Sequence, residues 1–448
     1  MGEKGTSTRE RLLDATATLI QSTSVWDLRV AQIARLAKAS PATFYVYFRD
    51  INDAVLAIAQ ATTQSPPDLL ALLAESWEAD AEARSAAFVR AYVNHWQANA
   101  AIFRMRNLAS EEGDTDFYMT RWHAVMPLIE LMAVRLRDRA RSSGLDARAL
   151  AGTLISMIEA ISQFRTAPPS STAPAQALSD VSVERMLRAA TYFITLFVGG
   201  RPSVEAPPAR TARRPAGKPA PAALAPAVDR TASLGEKGLR TRARLIEAAT
   251  DLIASRSLRD LTMADIAKAA GISKATFYEY FSDASDVVLA AVAEDTDMRP
   301  LNAALGEALA AFGPSLGAHE FVKAYIDWSR DRSALIRVRN VAADEGDLRF
   351  LMSRIDAVRP ILASVARAIE DRQAEGRLPA SLHPPSTACC VLAMIERLAV
   401  TIAYNLVPGA NGATTAEAGA HLLSILLGGE PLAFAETTYG EAEASAPL

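Results

Sequence analysis

Residues Leu261–Val292 read LTMADIAKAAGISKATFYEYFSDASDVVLAAV, and this stretch decides the fold. Thr262 is placed to cap a short helix whose buried face is Ile266, Ala267 and Ala270. Gly271 supplies the left-handed backbone of a tight turn, Ile272 plugs the core, and Ser273 caps the next short helix. Two short helices joined in this way make a helix-turn-helix, whose second helix can enter the major groove of DNA. The exposed side chains on that helix are Lys274, Thr276, Tyr278 and Tyr280, donors suited to phosphates or base edges. Phe277 and Phe281 read as core, and Asp283 or Ser285 would cap the following helix.

The same pattern occurs earlier in the chain. A shift of 233 positions aligns Gly2–Leu56 with Gly235–Leu289 without a gap, and 30 of those 55 positions are identical. The shift still holds at FRMRNLASEEGD (Phe103–Asp114), which falls on IRVRNVAADEGD (Ile336–Asp347), and at Pro127, which falls on Pro360. Near the ends the register slips, and Gly199 and Gly200 match Gly428 and Gly429. The chain is therefore a duplication. Apolar positions at helical spacing, such as Leu12, Ala15, Leu19 and Ile20 with their counterparts Leu245, Ala248, Leu252 and Ile253, predict an all-α fold.

With these residues in view, the chain resembles the TetR family of bacterial transcriptional regulators. The resemblance rests on T-x-x-x-I-A-x-x-A-G-[IV]-S-x-x-T-[FL]-Y-x-[YH]-F after an R-x-x-[IL]-x-x-A-A helix, and it covers about 55 residues in each copy. It implies two units, each an N-terminal helix-turn-helix head on a larger helical domain that binds a small effector and dimerises. Carried over by position, the DNA contacts of the second copy are Thr262, Ser273, Lys274, Thr276, Tyr278 and Tyr280, with Arg242 on phosphate. In the first copy they are Ser40, Thr43, Tyr45 and Tyr47, with Arg9. That copy departs from the pattern. Lys38 and Ala39 replace Gly271 and Ile272, Pro41 replaces Lys274, Arg29 stands for Thr262, and Val46 replaces Glu279. Pro41 is acceptable at a first helical position, so the helix survives and the lysine does not. The two heads should read unlike half-sites.

The boundaries that follow are a first head over 1–60, a helical effector and dimerisation domain over 61–200 and a linker over 201–234. The second head takes 235–294 and the second helical domain 295–435, with 436–448 as a disordered tail. The linker has seven prolines, ten alanines and a net charge of +4, and cannot bury enough apolar surface to order itself. The last helical patterns of each unit, near Arg148–Phe164 with Val183–Phe197 and Ser386–Asn405 with Thr415–Leu427, fit the family's dimerisation helices. An effector pocket is sought among Trp96, Phe117, Trp122, Met126, Met157, Phe164, Trp328, Phe350, Met352 and Met394, residues that serve equally as core. The repeated R-x-R-N-x-A-x-[ED]-E-G-D predicts a helix end, with Gly113 and Gly346 stopping one helix and Asp114 and Asp347 capping the next. Its Arg and Glu side chains would form an ion-pair junction between the domains, read as a structural helix end, as a relay from effector pocket to DNA head, or as an anionic-ligand site.

Composition excludes several other classes. Half the residues are hydrophobic and the net charge is −4, so the chain is not globally disordered. Its two cysteines, Cys389 and Cys390, are adjacent, which argues against a disulfide scaffold and for a reducing cytoplasm. Ala388–Val407 carries Glu396 and Arg397 at its centre and reads as a buried helix rather than a membrane span. Five scattered histidines offer no metal spacing or catalytic constellation, so neither an enzyme nor a cofactor is expected. The expected partners are operator DNA, a small apolar effector and the other unit of the same chain. The rival arrangements are a dimer of tandem chains with four heads, and a chain in which only the second head binds DNA.

Overall fold

The computed structural model describes residues 3–21, 28–62, 66–77, 80–165, 181–199, 234–403 and 412–428. The linker up to residue 233 and the 436–448 tail lie outside them. All regular structure in the described residues is helical. The first unit runs α1 (Glu3–Leu19), α2 (Val30–Leu36), α3 (Pro41–Tyr47), α4 (Ile51–Thr62), α5 (Pro67–Ala74), α6 (Ala81–Ala98), α7 (Ala100–Glu111), α8 (Thr115–Ser142), α9 (Ala147–Arg165) and α10 (Val183–Phe197). The second repeats the order: α11 (Glu236–Ile253), a 3-10 turn at Leu258–Asp260, α12 (Met263–Ala269), α13 (Lys274–Tyr280) and α14 (Ala284–Asp295) form its head. Then come α15 (Arg299–Asp331), bent at Gly313, α16 (Ser333–Asp344), α17 (Leu348–Ala374), α18 (Pro384–Ala403) and α19 (Gly412–Leu427).

The heads are built by caps and by a few buried rings. Thr262 accepts the Asp265 N–H (3.2 Å) while the Asp265 carboxylate accepts the Thr262 N–H (3.2 Å), a reciprocal cap for α12. Ser40 and Ser273 each accept the N–H three residues on (3.0 Å) and so start α3 and α13. Arg29, standing for Thr262, has no side-chain acceptor, and Gln32 alone accepts the Arg29 N–H (2.9 Å). Arg11 and Arg244 both donate to the carbonyl ending the helix before the turn, Ala37 and Ala270, which ties the first helix of each head to that turn. Phe44 and Phe277 are fully buried beneath the two recognition helices.

The turns differ in strain. Gly271 sits at φ 65° and Lys38 at φ 54°, where an L side chain costs roughly 1–2 kcal/mol. Lys38→Gly relieves this at the expense of a more flexible unfolded chain. It should stabilise the first head by about 0.5–1 kcal/mol, seen as slower amide exchange in α2 and α3. Unchanged or faster exchange there would show that the turn is not strained.

In each larger domain the helix of the R-x-R-N motif, α7 or α16, ends as the repeat predicts. Gly113 and Gly346 both lie at φ 98°, Asp114 accepts the N–H groups of Asp116 and Phe117, and Asp347 that of Arg349. Gly199 and Gly428, equivalent across the slipped register, close α10 and α19 in the same left-handed conformation. Helix α9 packs on α18 and α19, α10 packs on α18, and α7 meets α16. One continuous buried cluster runs from Met157, Ile161, Met186 and Phe193 in the first unit to Cys390, Met394, Leu398 and Leu422 in the second. At its edge Ser182 N–H donates to Ser386 Oγ (3.1 Å) and the Phe197 ring lies against His421. Pro384–Ile402 is long and apolar enough to cross a membrane, yet 61% of that window is buried inside the protein. Burial raises the Cys389 thiol pKa to about 12 and that of Cys390 well above the ordinary value, so both thiols stay protonated.

Candidate nucleic-acid interface and the cavity between the units

The recognition helices present matched but unequal surfaces. On α13, Lys274 is exposed and Tyr278 is 50% exposed; on α3, Tyr45 is 60% and Val46 76% exposed. Thr43 and Thr276 are half-buried beside the capping serines, with hydroxyl oxygens 2.8 and 3.0 Å from the serine Oγ atoms. Thr262, Ser40 and Ser273 thus order the start of their helices as well as facing outward. Tyr47 and Tyr280 are half-buried, with rings packed on the head cores. Arg9 and Arg242 lie over the Phe48 and Phe281 rings, at 5.3 and 5.5 Å from the centroids. Arg242 also pairs with Glu294 (2.5 Å), whereas Ala61 holds the equivalent position in the first copy. A phosphate would therefore draw Arg242 away from a carboxylate that Arg9 does not face.

The repeated R-x-R-N motif does something the sequence spacing did not foretell. Arg106 is buried and donates to Asn107 Oδ1 (3.2 and 3.0 Å) and to Glu159 Oε1 (3.3 Å), far along the chain. Arg121 grips the same carboxylate through Nε (3.1 Å) and Nη2 (2.6 Å). Arg397, from the second unit, completes the cluster at 3.1 Å. The second unit repeats the set around Glu396, with Arg339 (3.1 Å), Arg354 (2.9 Å) and Asn340 (3.3 Å). The residue after Glu159 is Ala160, where the second unit has Arg397, so the first unit has no counterpart of Arg397 to place on Glu396. Burial works to raise the Glu159 pKa, but Arg121, Arg397 and Arg106 outweigh it and hold the carboxyl well below the usual range.

The glutamates of the motif point elsewhere. Arg259, in the 3-10 turn of the second head, pairs with Glu345 of its own unit and lies 3.7 Å from Glu112 of the other. Ser257 Oγ donates to Glu112 Oε1 (3.1 Å). One head is thereby tied to both larger domains. In the sequence of the first copy Trp26 stands at the position of Arg259.

Beside Glu159 lies a cavity of about 330 Å³. Its walls are Trp122, Val125, Met126 and Ile129 of α8, Gly152 and Ser156 of α9, and Leu398, Thr401, Thr414 and Thr415 of the second unit, with Tyr118 and Arg121 beside Glu159. Of the residues proposed from sequence, it brings together Trp122 and Met126. Trp96, Phe117, Met157, Phe350 and Met394 are buried in the cores, Trp328 lies under Arg332, and Met352 is half-buried. The Phe164 side chain lies outside the described residues. Among the described residues no group of three or more His, Cys, Asp or Glu side chains is placed to hold a metal ion.

Paired helix-turn-helix heads on helical domains define a helix-turn-helix DNA-binding protein. The family described as "Bacterial regulatory proteins, tetR family" matches residues 245–291. The one described as "Tetracyclin repressor-like, C-terminal domain" matches twice, at 69–182 and 309–423, together just over half of the chain. No curated protein matches the chain. The chain belongs to the TetR family, with its C-terminal domain present in two copies, and is a DNA-binding transcriptional regulator.

Proposed function

We propose that the chain is a single-chain repressor whose two units pair as separate subunits would, placing two unlike heads on one operator. The seating of Arg397 on Glu159, inside a core shared by α9, α10, α18 and α19, is the observation that carries this reading. The linker's length fits it, because a 34-residue tether at random-coil dimensions would span about 30 Å and set an effective concentration of order mM. The half-sites would lie about one helical turn apart, ~34–36 Å, and differ in sequence. An effector in the cavity between the units would respace the heads and release the DNA, in the bacterial cytoplasm.

Sedimentation of the purified chain tests the pairing. A mass near 47.9 kDa is expected, and twice that as the sole species would replace it with a dimer of tandem chains. On DNA, Lys274→Ala should weaken binding about equally across sequences and lower the salt slope by about 1, as loss of one phosphate contact does. A change in base preference with no change in salt slope would instead make Lys274 a base reader.

A further inference from the structure

Resting on the effector role proposed for this cavity, we infer that its ligand is an amphipathic anion, a carboxylate-like head on an apolar body, held across both units. The walls fit the body: Trp122, Val125, Met126 and Ile129 on one side and Leu398 on the other present an apolar sleeve. The floor fits the head. Arg121 and Glu159 line it, with Arg106 and Arg397 behind them on the same carboxylate, so these three guanidinium groups outnumber Glu159 and the neighbouring Asp344 in a place where Glu159 and Arg106 are 1% and 3% exposed. A field of that sign beside a low-dielectric wall attracts an anion and repels a cation.

A second observation points the same way. Tyr118 lines the cavity, is only 8% exposed, and its hydroxyl is buried with no hydrogen-bond partner among the described residues. A buried donor without an acceptor is costly, and a purely apolar ligand would leave it so. An anionic oxygen would accept that proton in a charge-assisted bond while lying within the field of the arginine cluster. The remaining charges stand at the cavity mouth. Asp146 accepts the Ala149 N–H at the start of α9, and Arg148 pairs with Glu130, both half-exposed or more and so screened by solvent. The head also lies against the helix that brings Arg397 to Glu159, so occupancy is felt at the contact that joins the units.

The test uses the full chain with decanoate, decanol and decylamine, each below its micelle concentration, by calorimetric titration and thermal shift. Decanoate is expected to bind at least tenfold more tightly than either of the others and to weaken operator binding at least fivefold. Tyr118→Phe should reduce decanoate affinity about five- to tenfold, while the unliganded variant melts no lower than wild type, since it loses a hydroxyl without a partner. Equal binding of decanol or decylamine, binding of none of the three, or undiminished binding by Tyr118→Phe overturns the inference. Tight decanoate binding with operator affinity unchanged leaves the site standing and removes the effector role on which it was built. A Tyr118→Phe variant that melts below wild type overturns the unpartnered hydroxyl, and the ranking of the three probes is read on wild type independently of it.

Discussion

Glu159→Ala should cost about 3–5 kcal/mol of folding stability, because it removes the carboxylate that three guanidinium groups share in and beside the core. Arg106 has Glu159 as its carboxylate partner and is almost wholly buried, and Arg397 reaches Glu159 from the opposite unit. Removing the carboxylate therefore leaves uncompensated buried charge and also cuts the cross-unit contact. Glu396→Ala takes the carboxylate from Arg339, leaves Arg354 its pair with Asp344 (3.6 Å) and breaks no contact of that kind, so its loss should be the smaller of the two. Arg397→Ala should cost least, since Glu159 keeps Arg106 and Arg121, the same complement that Glu396 has. Urea unfolding of the three variants checks the order, and a Glu159→Ala loss under 1 kcal/mol would sink the account. The pH dependence has a definite sign. The folded Glu159 pKa is lowered, so its stabilisation is complete above the ordinary carboxylate range and is lost as pH falls through the folded value.

This cluster marks the limit of what the sequence allowed to be read. The duplication, the helix-turn-helix heads and the capped helix ends were legible because they rest on local patterns: Gly271 before Ser273, Gly113 before Asp114, and identical residues at one shift. The Arg106–Glu159 pair joins positions 53 apart, across the point where the register of the two copies slips. A local reading of R-x-R-N-x-A-x-[ED]-E-G-D sends the arginines to the motif's own glutamates. The fold instead sends Arg106 to α9 and Glu112 to the second head. One clue was present: Met157-Ile158-Glu159 recurs as Met394-Ile395-Glu396, a carboxylate repeated in the middle of an apolar helix, where burial demands a cation. The cavity was only partly legible for a similar reason. Aromatic content selects large side chains but not whether they meet a neighbour or a void, and so Trp96 and Phe117 fell in the core while Trp122 and Met126 line the space.

Phe44→Ala should remove one head and lower operator affinity by 10²–10⁴, the factor by which two linked heads exceed one. The first head has a small core of its own, made of Leu12, Ala15, Ile33, Ala37, Phe44, Phe48 and Ala54, and Phe44 is its central ring. Truncating a fully buried Phe costs about 3–5 kcal/mol, more than so few contacts can absorb when Lys38 already strains the turn. The damage should stay local. The second head shares its core with Leu335, Val338, Ala342 and Phe350 of α16 and α17, so Phe277→Ala spreads its cost into the larger domain, whereas Phe44→Ala opens α2 and α3 alone. Footprinting separates the two. Phe44→Ala should protect only the half-site of the second head, and only at raised protein concentration, with most of the unfolding transition unchanged. Full protection of both half-sites at wild-type affinity would mean that the first head does not hold DNA, and that the unlike half-sites proposed for this chain reduce to one.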